Sequence, residues 1–207
     1  RNGFHDLKKV MDFVKSDDAS TKVRMTSDVY MDYLPTSKFS VPVNPEVVLA
    51  NGTVLPQFAD KIPETMDWKI GKGAVLKAKL MILDLLAHNN WERPIYFAIT
   101  VGNDHYMNLE DYFQLEGLAY KVTPIKHNNK GGTGWVNVEK MYDNLVNNFH
   151  WGNMEKKGVY MGEQVQRMTT NYRNNFARLA RELTLVGDTV RAIKTLDRCM
   201  EIMPPSK

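Results

Sequence analysis

The segment Ala74-Val-Leu-Lys-Ala-Lys-Leu-Met-Ile-Leu-Asp-Leu-Leu-Ala-His88 places Leu76, Leu80, Leu83 and Ala87 at three- and four-residue intervals. That is the periodicity of one helix face, which Met81 and Leu86 widen. Asn89-Asn90 ends the pattern. After the corner Trp91-Glu-Arg-Pro94 comes Ile95-Tyr-Phe-Ala-Ile-Thr-Val101, a run of apolar, β-branched and aromatic residues that reads as a strand buried on both faces. Upstream, Met66 to Ile70 reads as a further strand. Strand, helix and buried strand in that order predict a βαβ unit, hence an α/β body with a partly parallel sheet, or a mixed α+β arrangement.

On the N-terminal side, Phe4, Leu7, Val10, Met11 and Val14 repeat at helical spacing. Lys22 to Val43 is extended in texture, with alternation at Val29, Met31, Tyr33 and again at Phe39, Val41, Val43 around the turn Pro35-Thr36-Ser37. Asn44-Pro45 opens a short helix that Asn51-Gly52 closes. On the C-terminal side, Gly117 leads into a strand from Leu118 to Ile125, and His127 to Gly134 is a polar, glycine-rich loop. Val138, Met141, Tyr142, Leu145 and Phe149 then start a helical region. The expected division is an α/β body over residues 1–130 and a helical tail over 131–207.

The tail carries a tetratricopeptide-like pattern at about 172–204: Phe176, Leu179, Ala180 and Leu183, then Gly187-Asp188, Ala192, Leu196, Cys199 and Pro204. Small residues are needed where two antiparallel helices cross, and Pro at the exit. A second unit one repeat earlier aligns Tyr142, Leu145 and Phe149 but fails at Gly158 and Gly162.

Composition narrows the function classes. The 207 residues are 43% hydrophobic and 25% charged, enough for a core and too apolar for disorder. A net charge of +3 with no basic run argues against nucleic acid as a partner. Cys199 is the only cysteine, so no intrachain disulfide forms; this suits a cytosolic protein and does not exclude a periplasmic one. The longest apolar run, Leu80 to Ala87, is interrupted by Asp84 and far too short to span a bilayer. The chain opens at Arg1 without an initiator Met and is expected to be a segment of a larger protein.

Two glycine-rich turns lack the order that phosphate chemistry needs. Gly71-Lys72-Gly73 is missing the third glycine of a dinucleotide fold, Leu76 standing in its place. Lys130-Gly131-Gly132-Thr133-Gly134 has its lysine ahead of the glycines, not after them. No spaced metal pair or nucleophile–base arrangement is legible, so no catalytic residue, metal or cofactor is expected. Two candidate ligand sites remain. Trp91, Glu92 and Arg93 join an indole, a carboxylate and a planar cation, suited either to capping the core or to gripping a polar ligand such as a sugar. Asp104, His105 and Glu110, with Asp111, lie in the loop after the apolar run, where α/β proteins bind ligands.

Asn89 to Ala98 and Tyr112-Phe-Gln-Leu-Glu-Gly-Leu-Ala-Tyr120, with Met31-Asp-Tyr-Leu-Pro35 and Phe39-Ser-Val-Pro-Val43, resemble a family of bacterial multi-pass membrane proteins. The membrane half of that family is similar to protein O-mannosyltransferases, and so to GT-C glycosyltransferases that use lipid-linked sugar donors. The resemblance covers most of Phe4 to Ile125. It implies an extracytoplasmic, periplasmic domain following the membrane spans, with the membrane half of the same polypeptide as partner and acceptor protein or glycan as a further one. The catalytic carboxylate of such transferases lies in an early loop of the membrane half, which nothing here matches, so no catalytic role carries over. The expected function is a non-catalytic accessory domain aiding acceptor binding. A self-sufficient α/β enzyme using loop 102–111 and a tetratricopeptide-type interaction module are the alternatives.

Overall fold

The computed structural model describes residues 3–71, 73–127, 132–156 and 158–204. Lys72 and Lys130-Gly131, central to the two glycine-rich turns, fall outside them. The protein is a mixed α+β fold with three small sheets and a helical C-terminal region. It forms two compact units, Arg1–Ile95 with Val101–Tyr112 and Val122–Lys126, and Tyr96–Thr100 with Phe113–Lys121 and His127–Lys207. Residues 96–100 and 113–121, expected in an N-terminal body, thus lie with the C-terminal unit.

In the first unit, strand β1 (His5–Asp6) runs into helix α1 (Leu7–Lys15), where the Asp6 side chain accepts from the Lys9 amide and Leu7, Val10 and Met11 are buried. A two-stranded antiparallel hairpin follows, β2 (Lys22–Arg24) and β3 (Tyr30–Asp32). Strand β4 (Lys38–Pro42) then returns parallel to β1, in register His5↔Phe39. Strand β5 (Thr65–Lys69) pairs antiparallel with β4 and sets Phe39 opposite Trp68 and Val41 opposite Met66, all four buried. Period-two alternation makes this one face of the sheet apolar. Helix α2 (Pro45–Ala50) starts as its sequence predicts, the Asn44 side chain accepting from the Glu46 amide.

Helix α3 (Lys77–His88) begins three residues later than its periodicity suggests, because Leu76 is extended. Its buried face is Leu83, Leu86 and Ala87, while Leu76 and Met81, expected inward, are exposed. Asp84 joins it to α1 through Lys15 at 2.6 Å.

The strand-helix-strand reading of residues 66–101 needs correction. Strand β6 is only Tyr96–Ala98, sits at the edge of a four-stranded sheet and buries Phe97 alone. It shares no sheet with β5, so α3 is not a parallel crossover. The crossover lies earlier, β1–α1–β4, with the β2–β3 hairpin inserted into it.

In the second unit, β7 (Phe113–Leu115), β8 (Ala119–Val122) and β9 (Trp135–Val136) complete the order β6-β8-β7-β9. Gly117 turns between β7 and β8 at φ +125°, and a Cβ there would meet the Phe149 ring at 2.9 Å, so only glycine fits. Helix α4 (Val138–Tyr142) widens into a π-helical turn over Asp143–Asn148. Helices α5 (Glu163–Leu185) and α6 (Thr189–Ile202) form the C-terminal hairpin, turning at Gly187 with Asp188 capping α6. Arg173, midway along α5, donates to the Met203 carbonyl just beyond the end of the shorter α6, as an antiparallel pair joined at Gly187 requires. Phe176, Leu179, Ala180, Leu183, Ala192 and Cys199 are buried as expected; Leu196 is half-exposed instead.

Candidate functional site

The corner before β6 is built by backbone constraint. Asn90 and Trp91 both adopt left-handed conformations, φ +47° and +62°, uncommon for residues with a Cβ. The Asn51 amide donates to the Trp91 carbonyl, and the indole Nε1 donates to the Pro42 carbonyl at 2.8 Å. Trp91 is only 7% exposed, so its ring is packing, with its one donor spent, and offers little platform to a sugar. Glu92 and Arg93 are exposed beside it, and among the described residues no ion pair joins them. Of the three, only these two are accessible to a ligand.

The loop from Gly102 to Asp111 is a packed segment. Tyr106, Met107 and Leu109 are buried. Met107 and Asn108 sit at positive φ, and the Asn108 amide donates to the Lys69 carbonyl at 2.9 Å. His105 Nδ1 lies 3.0 Å from Asp104 Oδ2, both partly exposed, and Asp111 pairs with Lys126 at 3.2 Å. Glu110 opens a short 3-10 turn ending at Tyr112. The Tyr112 hydroxyl donates to the Asp67 carbonyl at 2.6 Å; burial, then the Asp67 and Asp111 carboxylates, push its pKa up. Beside the loop, Asp104, Asn103, Asn108 and Lys79 line a cavity of about 180 Å³. Asp104 and Lys79 thus line one small cavity, and Asp104 also pairs with His105.

A charged cluster that sequence reading passed over lies in the second unit. Glu116 Oε1 receives Lys121 Nζ and Gln114 Nε2, both at 2.6 Å, and Oε2 receives the Tyr96 hydroxyl at 3.0 Å. Gln114, Glu116 and Lys121 are buried. Burial, then the charge and hydrogen bond of Glu116, push the Tyr96 phenol up to about 12. Each carboxylate oxygen is engaged, so Glu116 is a structural anion fixing the β7–β8 hairpin, not a general base. The signal was in the sequence: Gln114 and Glu116 share one strand face inside an apolar run, where charge is costly unless paired.

Two larger openings are apolar. In the second unit, Phe149, Trp151, Tyr160, Tyr172 and Met161 line a cavity of about 530 Å³, and the buried Trp151 Nε1 has no acceptor among the described residues. In the first, Met31 to Ser37 and the turn from Ile70 to Val75 line an open groove of about 810 Å³. Beside it the β2–β3 hairpin exposes Val23, Met25, Val29, Tyr30 and Met31. Among the described residues no three His, Cys, Asp or Glu converge as metal ligands, and no helix is long and apolar enough to cross a membrane.

The family model of TMEM260-associated domain 2 matches residues 1–140. The chain belongs to that family. No curated protein and no solved structure matches it. The TMEM260-associated domain 2 match includes the exposed hairpin, the groove, the Trp91 corner, loop 102–111 and the Glu116 cluster, and it ends within α4. Helices α5 and α6 lie beyond it.

Proposed function

We propose that this TMEM260-associated domain is a non-catalytic, extracytoplasmic accessory domain of a membrane glycosyltransferase-like protein, where it helps to hold the acceptor polypeptide. The observation that carries the proposal is the β2–β3 hairpin, whose apolar side chains on both faces are exposed next to a long open groove. A small-molecule site would be concave and enclosed. An exposed two-stranded ribbon instead offers free backbone edges and alternating side chains to an extended chain. The resemblance of Asn89–Ala98 and Tyr112–Tyr120 to proteins with a mannosyltransferase-like membrane half supports the choice of parent, and the family's name supports its role as a companion domain.

The test replaces Val29, Tyr30 and Met31 with Ser in the membrane-bound parent and measures sugar transfer to a protein acceptor and to a short acceptor peptide. Transfer to the protein should fall while transfer to the peptide persists. Equal rates on both acceptors would refute the holding role. Turnover of a sugar donor, ester or phosphate by the isolated chain, abolished by changing His105 or Asp104, would replace this proposal with an enzyme acting through loop 102–111.

A further inference from the structure

Helix α6 has two apolar faces and only one is covered. Ala192, Thr195, Cys199 and Ile202 are buried. On the other side Val190, Ile193, Leu196 and Met200 are 78%, 61%, 48% and 53% exposed and recur at three- and four-residue spacing. That is the seam spacing of helices that pack on one another. Leu185 and Val186 extend the patch at the adjoining turn. A contiguous exposed apolar surface of this kind marks an interaction site.

The charges on α6 indicate what covers it. Arg191 is held by Asp188 and Glu139, and Arg198 by Glu201. Lys194 and Asp197, beside and within the stripe, have no ion-pair partner among the described residues. We propose that this face binds the same face of a second copy of the chain, helix against helix, in an antiparallel two-fold arrangement.

With the axis passing between positions 195 and 196, Lys194 of each copy falls opposite Asp197 of the other. Val190 falls beside Met200 of the second copy, and the two Leu196 side chains meet near the axis. The two-fold makes one patch complementary to itself, as an isologous interface requires. A parallel pairing would set Lys194 against Lys194 and leave Asp197 against Asp197. A lipid surface is a poorer occupant, because Asp197 stands inside the apolar stripe and would face anionic headgroups.

The test is sedimentation velocity of the whole chain over a wide concentration range, with thermal melts alongside. The wild-type chain should dimerise. Ile193→Glu and Lys194→Asp should each weaken the dimer by at least about tenfold, whereas Lys194→Asp with Asp197→Lys should restore it to within about threefold. All these positions are exposed in the single chain, so melts at concentrations where the chain is monomeric should hardly move. A chain that stays monomeric, a dimer indifferent to Ile193→Glu, or a charge swap that fails to restore association each overturns the proposal. So does a monomer that uses this face to bind anionic vesicles or a different helical protein.

Discussion

The indole Nε1 of Trp91 donates to the backbone carbonyl of Pro42 at 2.8 Å. A residue just past α3 is thereby tied to the last residue of β4. Removing the ring opens a cavity and orphans that carbonyl. Trp91→Ala should cost about 3–5 kcal/mol, as large-to-small core changes do. Arg93→Ala, at an exposed position, should stay within about 0.5 kcal/mol. Urea unfolding of the two variants checks both. A mild Trp91→Ala would return the ring to the list of ligand contacts.

Lys121 and Glu116 form a buried pair at 2.6 Å. Lys121→Ala leaves a carboxylate in a dry site with only Gln114 and Tyr96 as donors, and should cost about 3–5 kcal/mol. Replacing both members with apolar residues, Glu116→Leu with Lys121→Met, should recover most of that loss. The comparison of single and double variants by denaturant titration isolates the cost of the orphaned charge.

Tyr96 has its folded pKa raised to about 12, against roughly 10 for an unfolded tyrosine. Between those values the unfolded chain ionises first and binds fewer protons. The contribution of Tyr96 is therefore fully present below pH about 10 and is lost as pH climbs through about 12. Ultraviolet titration should show late-ionising phenol, to which Tyr112 also contributes, and Tyr96→Phe should remove one of the late steps. An unshifted titration in the intact chain would mean that the phenol is neither buried nor beside Glu116 in this way.

Ala180 and Ala192 are buried alanines, one on each helix of the α5–α6 hairpin. Ala192→Trp should overpack the crossing and cost about 1–3 kcal/mol. Calorimetry reads this directly. An unchanged melting temperature would place Ala192 away from the packed face.

What could be read beforehand follows from how locally each feature is determined. α1, α2 and the α5–α6 hairpin are set by spacing, caps and turns within a few residues, and were legible. At the β2–β3 ribbon only the extended texture was: the strands on either side of the expected turn Pro35–Ser37 do not pair, Tyr30–Asp32 pairing back with Lys22–Arg24 instead. The apolar run Ile95–Val101 misled because apolar content does not reveal sheet partners. Its strand is an edge, and Tyr96 is half-exposed even though its hydroxyl reaches the buried Glu116. Leu76 and Met81 fitted a helical stripe, yet the helix starts after one and turns the other outward. Of the candidate ligand residues, Trp91 could be seen to stand at a corner. That its donor would be spent on Pro42, 49 positions upstream, could not.

The parallel pairing of β1 with β4 has a kinetic side. His5 cannot meet Phe39 until the intervening chain, α1 and the ribbon included, has been closed into a loop. Loop closure must precede any reward from such distant contacts and slows folding. The β2–β3 ribbon forms from neighbours in sequence, within microseconds for hairpins generally. Once formed, it joins Lys22 to Asp32 and takes the residues between them out of the loop. The segment proposed to hold another polypeptide is thus also a splint that shortens the search for its own sheet. A Gly-Ser replacement of equal length should slow refolding while leaving the unfolding rate nearly unchanged.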